Sequence, residues 1–261
     1  MSFPLSFNVL GWPPLDEAAM TRQTPVQKFY QKGTFTFGNR LSPEAFHAAP
    51  AMASPLVKGH EACPGCGIVL AARHVAAVLQ LAKFDGAMRI LDQSGEDAPK
   101  IFERGGDVLC LCYDTEGAGG KPGNLFAAGK GVQFARLHAI AYVATATVAD
   151  LHDLENKLTK AMGLGGVRYL HIHAPCPAVW GTPPRDTIRL ARLAAESGFF
   201  PIFEAENGVV TGSRRIRHRM PVTDYLGPRL AKLGPDDTPK LQDLADRNII
   251  EFDLLPHPGE H

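Results

Sequence analysis

Between residues 107 and 203, short apolar runs alternate with amphipathic stretches, and this rhythm constrains the fold more than any other feature of the chain. Asp107–Cys112 (DVLCLC), Ile140–Thr145 (IAYVAT), Val167–His173 (VRYLHIH) and Phe200–Phe203 have strand length and almost no polar alternation. Between them, Val148, Leu151, Leu154, Leu158 and Met162 fall on one helical face, and Asp186–Ser197 reads as a helix stopped by Gly198. Met88–Leu91 adds a short strand ahead of them. Strands that are apolar on both faces must be covered on both, so the pattern predicts an α/β fold: a parallel sheet with helices on both faces. Ligands in such sheets gather outside the carboxyl ends of the strands. Two loops fall at those ends, Asp114-Thr115-Glu116-Gly117 and Pro175-Cys176-Pro177, and the pattern predicts that they converge.

Charge excludes some partners. The 261 residues carry 27 basic and 27 acidic side chains, so no net field draws in nucleic acid or an anionic membrane. A protein or a small molecule is the expected partner. No run of eighteen apolar residues and no charged-then-apolar leader is visible, which predicts a cytoplasmic chain with no membrane span. Five cysteines in that setting read as thiols or metal ligands and not as a disulfide framework.

The densest chemical motif is Gly59–Gly67, GHEACPGCG, which runs into a helix carrying Val69, Ala72, Val75, Ala76 and Leu79. Cys63 and Cys66 at C-x-x-C spacing, with Pro64, Gly65 and Gly67 between and after them, make a tight turn at a helix N-terminus. Free N–H groups there favour negative charge, as a cluster or an anion requires. Cys176, in the loop after VRYLHIH, supplies a third thiol. Three thiols from two separated loops read as a metal or iron–sulfur site; a redox or structurally idle cysteine pair is the plainer alternative. A tetrahedral zinc site from Cys63, Cys66, Cys176 and His60 or His173 is the rival metal reading. Cys110 and Cys112 sit two apart in a strand and so share one face. Both read as small buried hydrophobes, with Cys112, nearer the carboxyl end, also a candidate ligand.

Residues 1–58 carry seven prolines and no sustained period, and read as an extended arm with a short strand at Thr34–Phe37. Phe29, Tyr30, Phe35, Phe37 and Phe46 favour an arm laid on a partner. GAGGKPGNLFAAGKG (117–131) lacks both phosphate-loop spacings and reads as a surface loop. The basic run Ser213–Arg219, SRRIRHR, reads as a solvated face or a dock for an acidic protein. Glu204, Glu206 and Asn207 read as framework or interface groups.

Taken in order, GHEACPGCG (59–67), CYDTEG (112–117), YVATATVADLHDLENKLTKAM (142–162), YLHIHAPCPAVWGTPP (169–184) and FFPIFEAENG (199–208) resemble the β subunit of 2-oxoacid:ferredoxin oxidoreductases, of the pyruvate and phenylglyoxylate type. KFYQKGTFTFGNRL (28–41) and MPVTDYLGPRLAKL (220–233) extend the likeness. The resemblance implies a thiamine-diphosphate-type α/β domain at 59–233, between the arm and a C-terminal tail at 234–261. It implies a multi-subunit complex that decarboxylates a 2-oxoacid to an acyl-CoA, using coenzyme A. Electrons would leave through a [4Fe–4S] cluster to ferredoxin or to a flavin/NAD subunit. Cys63, Cys66 and Cys176 match three cluster ligands, with Cys112 considered for the fourth. Gly65, Cys66, Asp97, Asp114, Thr115, Glu116 and Gly117 match cofactor contacts, and Thr115 with the Gly117 carbonyl matches the Mg²⁺ ligands.

The chain departs from the family where that chemistry is done. Residues 80–109, which separate Leu79 from Cys110, stand where the family has more than one strand–helix unit and its fourth cysteine; one βαβ unit alone needs roughly 30 residues. The nearest remnants of the Gly-Asp-Gly-Gly diphosphate motif are Gln93–Asp97 and Phe84-Asp85-Gly86. A second shortening follows Gly117, so the domain is reduced between 80 and 125. These losses set up an alternative: a non-catalytic paralogue kept as a structural or electron-relay subunit of such a complex.

Overall fold

Helix α1, Gly67–Leu81, begins where the C-x-x-C turn ends, with Cys66 at its N-cap. The computed structural model describes residues 64–91, 98–115, 138, 140–227, 229 and 236–256, and the arm lies outside them. Gly67 seats α1 on the loop after the fourth strand: its N–H donates to the Pro175 carbonyl at 3.2 Å. A Cβ there would lie 2.6 Å from that oxygen. This seating turns Gly67, Ala71, Val75, Val78 and Leu79 inward and leaves Val69, Ala72 and Ala76 half-buried, a rotation of the apolar face expected from periodicity alone.

The chain then forms β1 (Met88–Leu91), α2 (Ala98–Arg104), β2 (Val108–Asp114), β3 (Tyr142–Thr147), α3 (Leu151–Met162) and β4 (Val167–His173). Next come the short α4 (Pro177–Trp180), α5 (Thr187–Glu196), β5 (Phe203–Glu206), β6 (Val209–Ser213), α6 (Val222–Leu226) and α7 (Asp237–Glu251). The sheet order is β1-β2-β4-β3-β5-β6. The first four of these strands are parallel, as the alternation predicts. One strand–helix unit, β1 with α2, occupies the interval before β2.

The far edge corrects the expectation of another parallel strand at Phe200–Phe203. The strand there is Phe203–Glu206, and it runs antiparallel to β3, with β6 antiparallel beyond it. Phe199, Phe200 and Ile202 are apolar because they are buried against α5, α6 and α7. Gly198, at φ 75°, ends α5, and its N–H bonds the Ala195 carbonyl.

Two cores sandwich the parallel strands. Leu109, Leu111, Ala144, Ala146, Leu170 and Ile172 face α1 and α3. Cys110, Cys112, Val143 and Tyr169 face the other way, toward Phe203 and Phe252. The stretch read as a tail, 234–261, contains α7, whose Leu241, Ala245 and Ile249 are buried. Leu241 and Ile249 each contribute about 1.5–3 kcal/mol of transfer free energy, so α7 is part of the fold.

Candidate functional site

The two cysteine loops meet. Cys66 N-caps α1 and Cys176 N-caps α4, and both thiols are half-buried. The Gly67–Pro175 bond ties the loops together, and Thr187 Oγ1 donates to the Gly65 carbonyl at 2.6 Å. Gly65 has φ 71°, and a Cβ on it would lie 2.4 Å from the Pro184 carbonyl oxygen. Only glycine enters a left-handed turn with backbone this close. Cys63 and His60 lie outside the described residues, as do Asp97, Glu116 and Gly117. Among the described residues, no cluster of three or more His, Cys, Asp and Glu side chains forms a metal cage.

The other side of the site is built from rungs. Parallel pairing puts Cys110, Tyr169 and Val143 in register, then Cys112, His171 and Thr145, then Asp114, His173 and Thr147. Climbing that face toward the carboxyl ends, the side chains change from apolar to polar while remaining buried: His171 is 3 % exposed, Asp114 1 % and His173 0 %. His171 Nε2 lies 2.7 Å from Asp114 Oδ2, and its Nδ1 lies 2.7 Å from the Tyr169 hydroxyl. Because a carboxylate only accepts and a phenol donates, the order is Tyr169 O–H to Nδ1 and Nε2–H to Asp114. Burial, with the Cys112 and Asp114 groups nearby, raises the Tyr169 phenol well above its ordinary value, so it stays protonated.

Asp114 leads directly into Thr115, and the backbone of both is held. The Ala174 N–H donates to the Asp114 carbonyl at 2.7 Å, and Trp180 Nε1 donates to the Thr115 carbonyl at 2.8 Å. Trp180 is itself covered by the Arg229 guanidinium, 4.8 Å from its ring, which also stacks on Tyr225 at 4.0 Å. Tyr225 reaches His173 Nε2 at 3.2 Å. Tyr169, His171 and Trp180 had no role in the reading of the sequence, although the period of two through Tyr169, His171 and His173 marks a shared face.

Other candidates take structural places. Cys110 and Cys112 share a face as expected, within the apolar cluster opposite α1, and burial pushes the Cys110 thiol up to about 11. Cys112 therefore stands on the other side of the sheet from the helix that Cys66 caps. His173 stacks on Phe200 with 4.8 Å between ring centroids, in the interior. Phe84-Asp85-Gly86 precedes β1, at the amino end of the sheet, and Gln93–Asp97 lies outside the described residues. Three arginines of the basic run are committed within the chain: Arg214 to Asp150 at 2.9 Å, Arg215 to Asp253 at 2.7 Å, and Arg219 to Asp246. Glu204 accepts from Tyr142 and Lys160, and Lys160 also pairs with Glu206, which makes both glutamates framework groups as read.

The donors fit, in kind, the groups that such a sheet end receives. Asp114 and Thr115 are hard oxygen donors at the end of a parallel strand, suited to Mg²⁺ beside a diphosphate; Cys66 and Cys176 are soft donors suited to iron or zinc.

No protein-family model matches the chain. Named relatives do. It is 33 % identical over 184 residues to pyruvate synthase subunit PorB of Methanosarcina barkeri, covering 59 % of this chain and 62 % of that protein. It is 37 % identical over 111 residues to the PorB of Methanocaldococcus jannaschii, or 42 % of this chain and 37 % of that one. Ketoisovalerate oxidoreductase subunit VorB of Pyrococcus abyssi is 46 % identical over 71 residues, 27 % of this chain and 23 % of its own length. The chain thus spans less than two thirds of the length of the relatives it matches. It is an α/β chain similar in sequence to the pyruvate synthase PorB and ketoisovalerate oxidoreductase VorB subunits. Among the described residues, no helix is long and apolar enough to cross a membrane.

Proposed function

We propose that this chain is a β-type subunit of a 2-oxoacid:acceptor oxidoreductase complex, acting on pyruvate or an aryl 2-oxoacid. The observation that carries the reading is the convergence of the Cys66/Cys176 clasp and the anchored Asp114-Thr115 turn at one end of β2 and β4. Thiamine diphosphate, when bound, supplies the carbanion chemistry that cleaves a 2-oxoacid; the protein's part is to bind, orient and exclude water.

Thr115 offers a buried hydroxyl to Mg²⁺, held in place by the Trp180 indole on its carbonyl. Glu116, Gly117 and Asp97 are proposed to complete the cofactor contacts, beside Gly65 and Cys66. Cys63, Cys66 and Cys176 are proposed as thiolates for a [4Fe–4S] cluster from which electrons pass to ferredoxin or a flavin/NAD subunit. Cys66 caps the N-terminus of a 15-residue helix, where free backbone N–H groups face the site. Coenzyme A and the remaining subunits complete the complex.

A second reading has its own support. Among the described residues, a single short strand–helix unit stands in the interval where the resembling family has more than one, which favours a subunit kept for assembly or electron relay. One experiment separates the two. The complex is assembled anaerobically with its partner subunits and supplied with Mg²⁺, thiamine diphosphate, coenzyme A and a low-potential acceptor. Release of CO₂ from pyruvate or an aryl 2-oxoacid, dependent on this chain and on thiamine diphosphate, is the expected result. A stable complex that neither binds thiamine diphosphate nor releases CO₂ overturns the catalytic reading in favour of the second.

A further inference from the structure

We propose that Tyr169 and His171 are positioning residues which, by holding the Asp114 carboxylate, set the Thr115 hydroxyl for the Mg²⁺–diphosphate of a bound thiamine cofactor; this rests on the reading above. The argument begins with cost. Taking a carboxylate and an imidazole out of water costs several kcal/mol, and apolar side chains of similar size stabilise a core at least as well. The same sheet face shows that solution one rung lower, where Cys110, Tyr169 and Val143 pack with Phe203 and Phe252. Polar rungs appear only at the carboxyl end, where ligands bind.

The geometry also has a direction. Tyr169 lies deepest, and its hydroxyl donates to His171 Nδ1, which leaves the proton on Nε2 facing Asp114. The Phe102 ring abuts Tyr169 at 5.7 Å, and Phe200 abuts His171 at 5.7 Å, so neither ring has room to turn away. Asp114 is then held by its side chain and by its carbonyl, and Thr115 by its own carbonyl. Three hydrogen bonds on two consecutive residues leave the Thr115 side chain little freedom beyond rotation about χ1. A metal ligand ordered in advance binds more tightly than one that must be ordered on binding, and loss of such supporting partners typically costs 10–100-fold in metal affinity. Asp114 is therefore an anchor for the ligand that follows it, and the chain from Tyr169 is what keeps it one.

The test uses the full chain in its assembled complex. Thiamine diphosphate binding is measured by equilibrium dialysis as Mg²⁺ is varied, alongside thermal unfolding. Tyr169→Phe removes one hydroxyl and keeps the ring packing; it is expected to weaken Mg²⁺-dependent binding about tenfold, while the His171 Nδ1 it leaves unmet lowers the thermal midpoint by only a few degrees. His171→Leu is expected to weaken binding further. His171→Gln, whose amide N–H can still point at Asp114, is expected to recover part of the loss. If His171→Leu fails to fold, Tyr169→Phe and His171→Gln carry the result. Binding within twofold of the parent in the folded variants overturns the positioning role alone, because the parent still binds. Absence of Mg²⁺–thiamine diphosphate binding in the parent overturns both this role and the functional reading beneath it.

Discussion

The two halves of the site achieve precision in opposite ways. The thiol clasp is a backbone construction: the Gly65 carbonyl, the Gly67 N–H and the Pro175 and Pro184 carbonyls lie so close that no Cβ fits between them. The opposite half is a side-chain construction, in which the buried Tyr169, His171 and Asp114 bond in a chain and the buried Trp180 holds the Thr115 carbonyl. The first excludes bulk and the second excludes an unmet hydrogen bond. Damage to one should therefore appear as strain, and damage to the other as misplaced or uncompensated polar groups.

The largest expected effect breaks the backbone half. Gly65→Ala forces a side chain onto φ 71° and into the Pro184 carbonyl, and a loss of about 3 kcal/mol or more in urea unfolding is expected. Gly67→Ala sharpens the same point, because two forces oppose. Alanine is favoured inside a helix by about 1 kcal/mol, yet its Cβ would stand 2.6 Å from the Pro175 carbonyl oxygen. A net loss of about 1–2 kcal/mol is expected, within the range of strained substitutions; an unchanged or raised stability would mean that the loop gives way and that the clasp is not rigid.

Thr145→Val tests the side-chain half. Its hydroxyl donates to the Pro201 carbonyl at 2.6 Å and accepts from the Phe203 N–H at 2.9 Å, so the isosteric change leaves two buried backbone groups unmet. A loss of about 2 kcal/mol is expected by the same unfolding measurement.

Much of this architecture was legible and part was not, for identifiable reasons. The strand at Val167–His173 and the helix over Leu151–Met162 could be read because every residue needed to recognise them is local. The turn that starts the clasp was legible for the same reason, since Pro64–Gly67 is one continuous stretch, whereas its closure on Pro175 and Pro184 depends on distant residues. The buried chain Tyr169–His171–Asp114 was not, since it depends on β2 and β4 lying side by side in a particular register. The turn of direction at β5 was hidden because Phe199–Ile202 is apolar for burial against helices, which periodicity cannot distinguish from burial in a sheet. The ion pairs of the basic run were hidden for the same reason as the buried chain, since its acidic partners Asp150, Asp246 and Asp253 are distant in sequence.

Smaller effects lie on the periphery, where neither half of the site is touched. Burial pushes the Glu204 carboxyl upward, but hydrogen bonds from Lys160 and Tyr142 and the Lys160 charge outweigh it, leaving the group below its ordinary value. A depressed carboxyl stabilises the fold above the ordinary glutamate range and loses that contribution as pH falls through its folded value. The parent is therefore expected to exceed Glu204→Gln by about 0.5–1 kcal/mol at neutral pH, with the gap closing in acid, as chemical unfolding at several pH values would show. Arg219→Ala, which removes an exposed pair with Asp246, is expected to change stability by less than about 0.5 kcal/mol.

The place of α7 bears on how the chain is made. Ile216 closes a backbone bond with Leu254 at 2.6 Å, and the Phe203 ring lies on Phe252 with 4.3 Å between centroids. During synthesis, the antiparallel edge of the sheet therefore waits with an open apolar face until residue 254 has cleared the ribosome. Four parallel strands have by then emerged, so covering this face falls to α7, after the sheet it completes has been made.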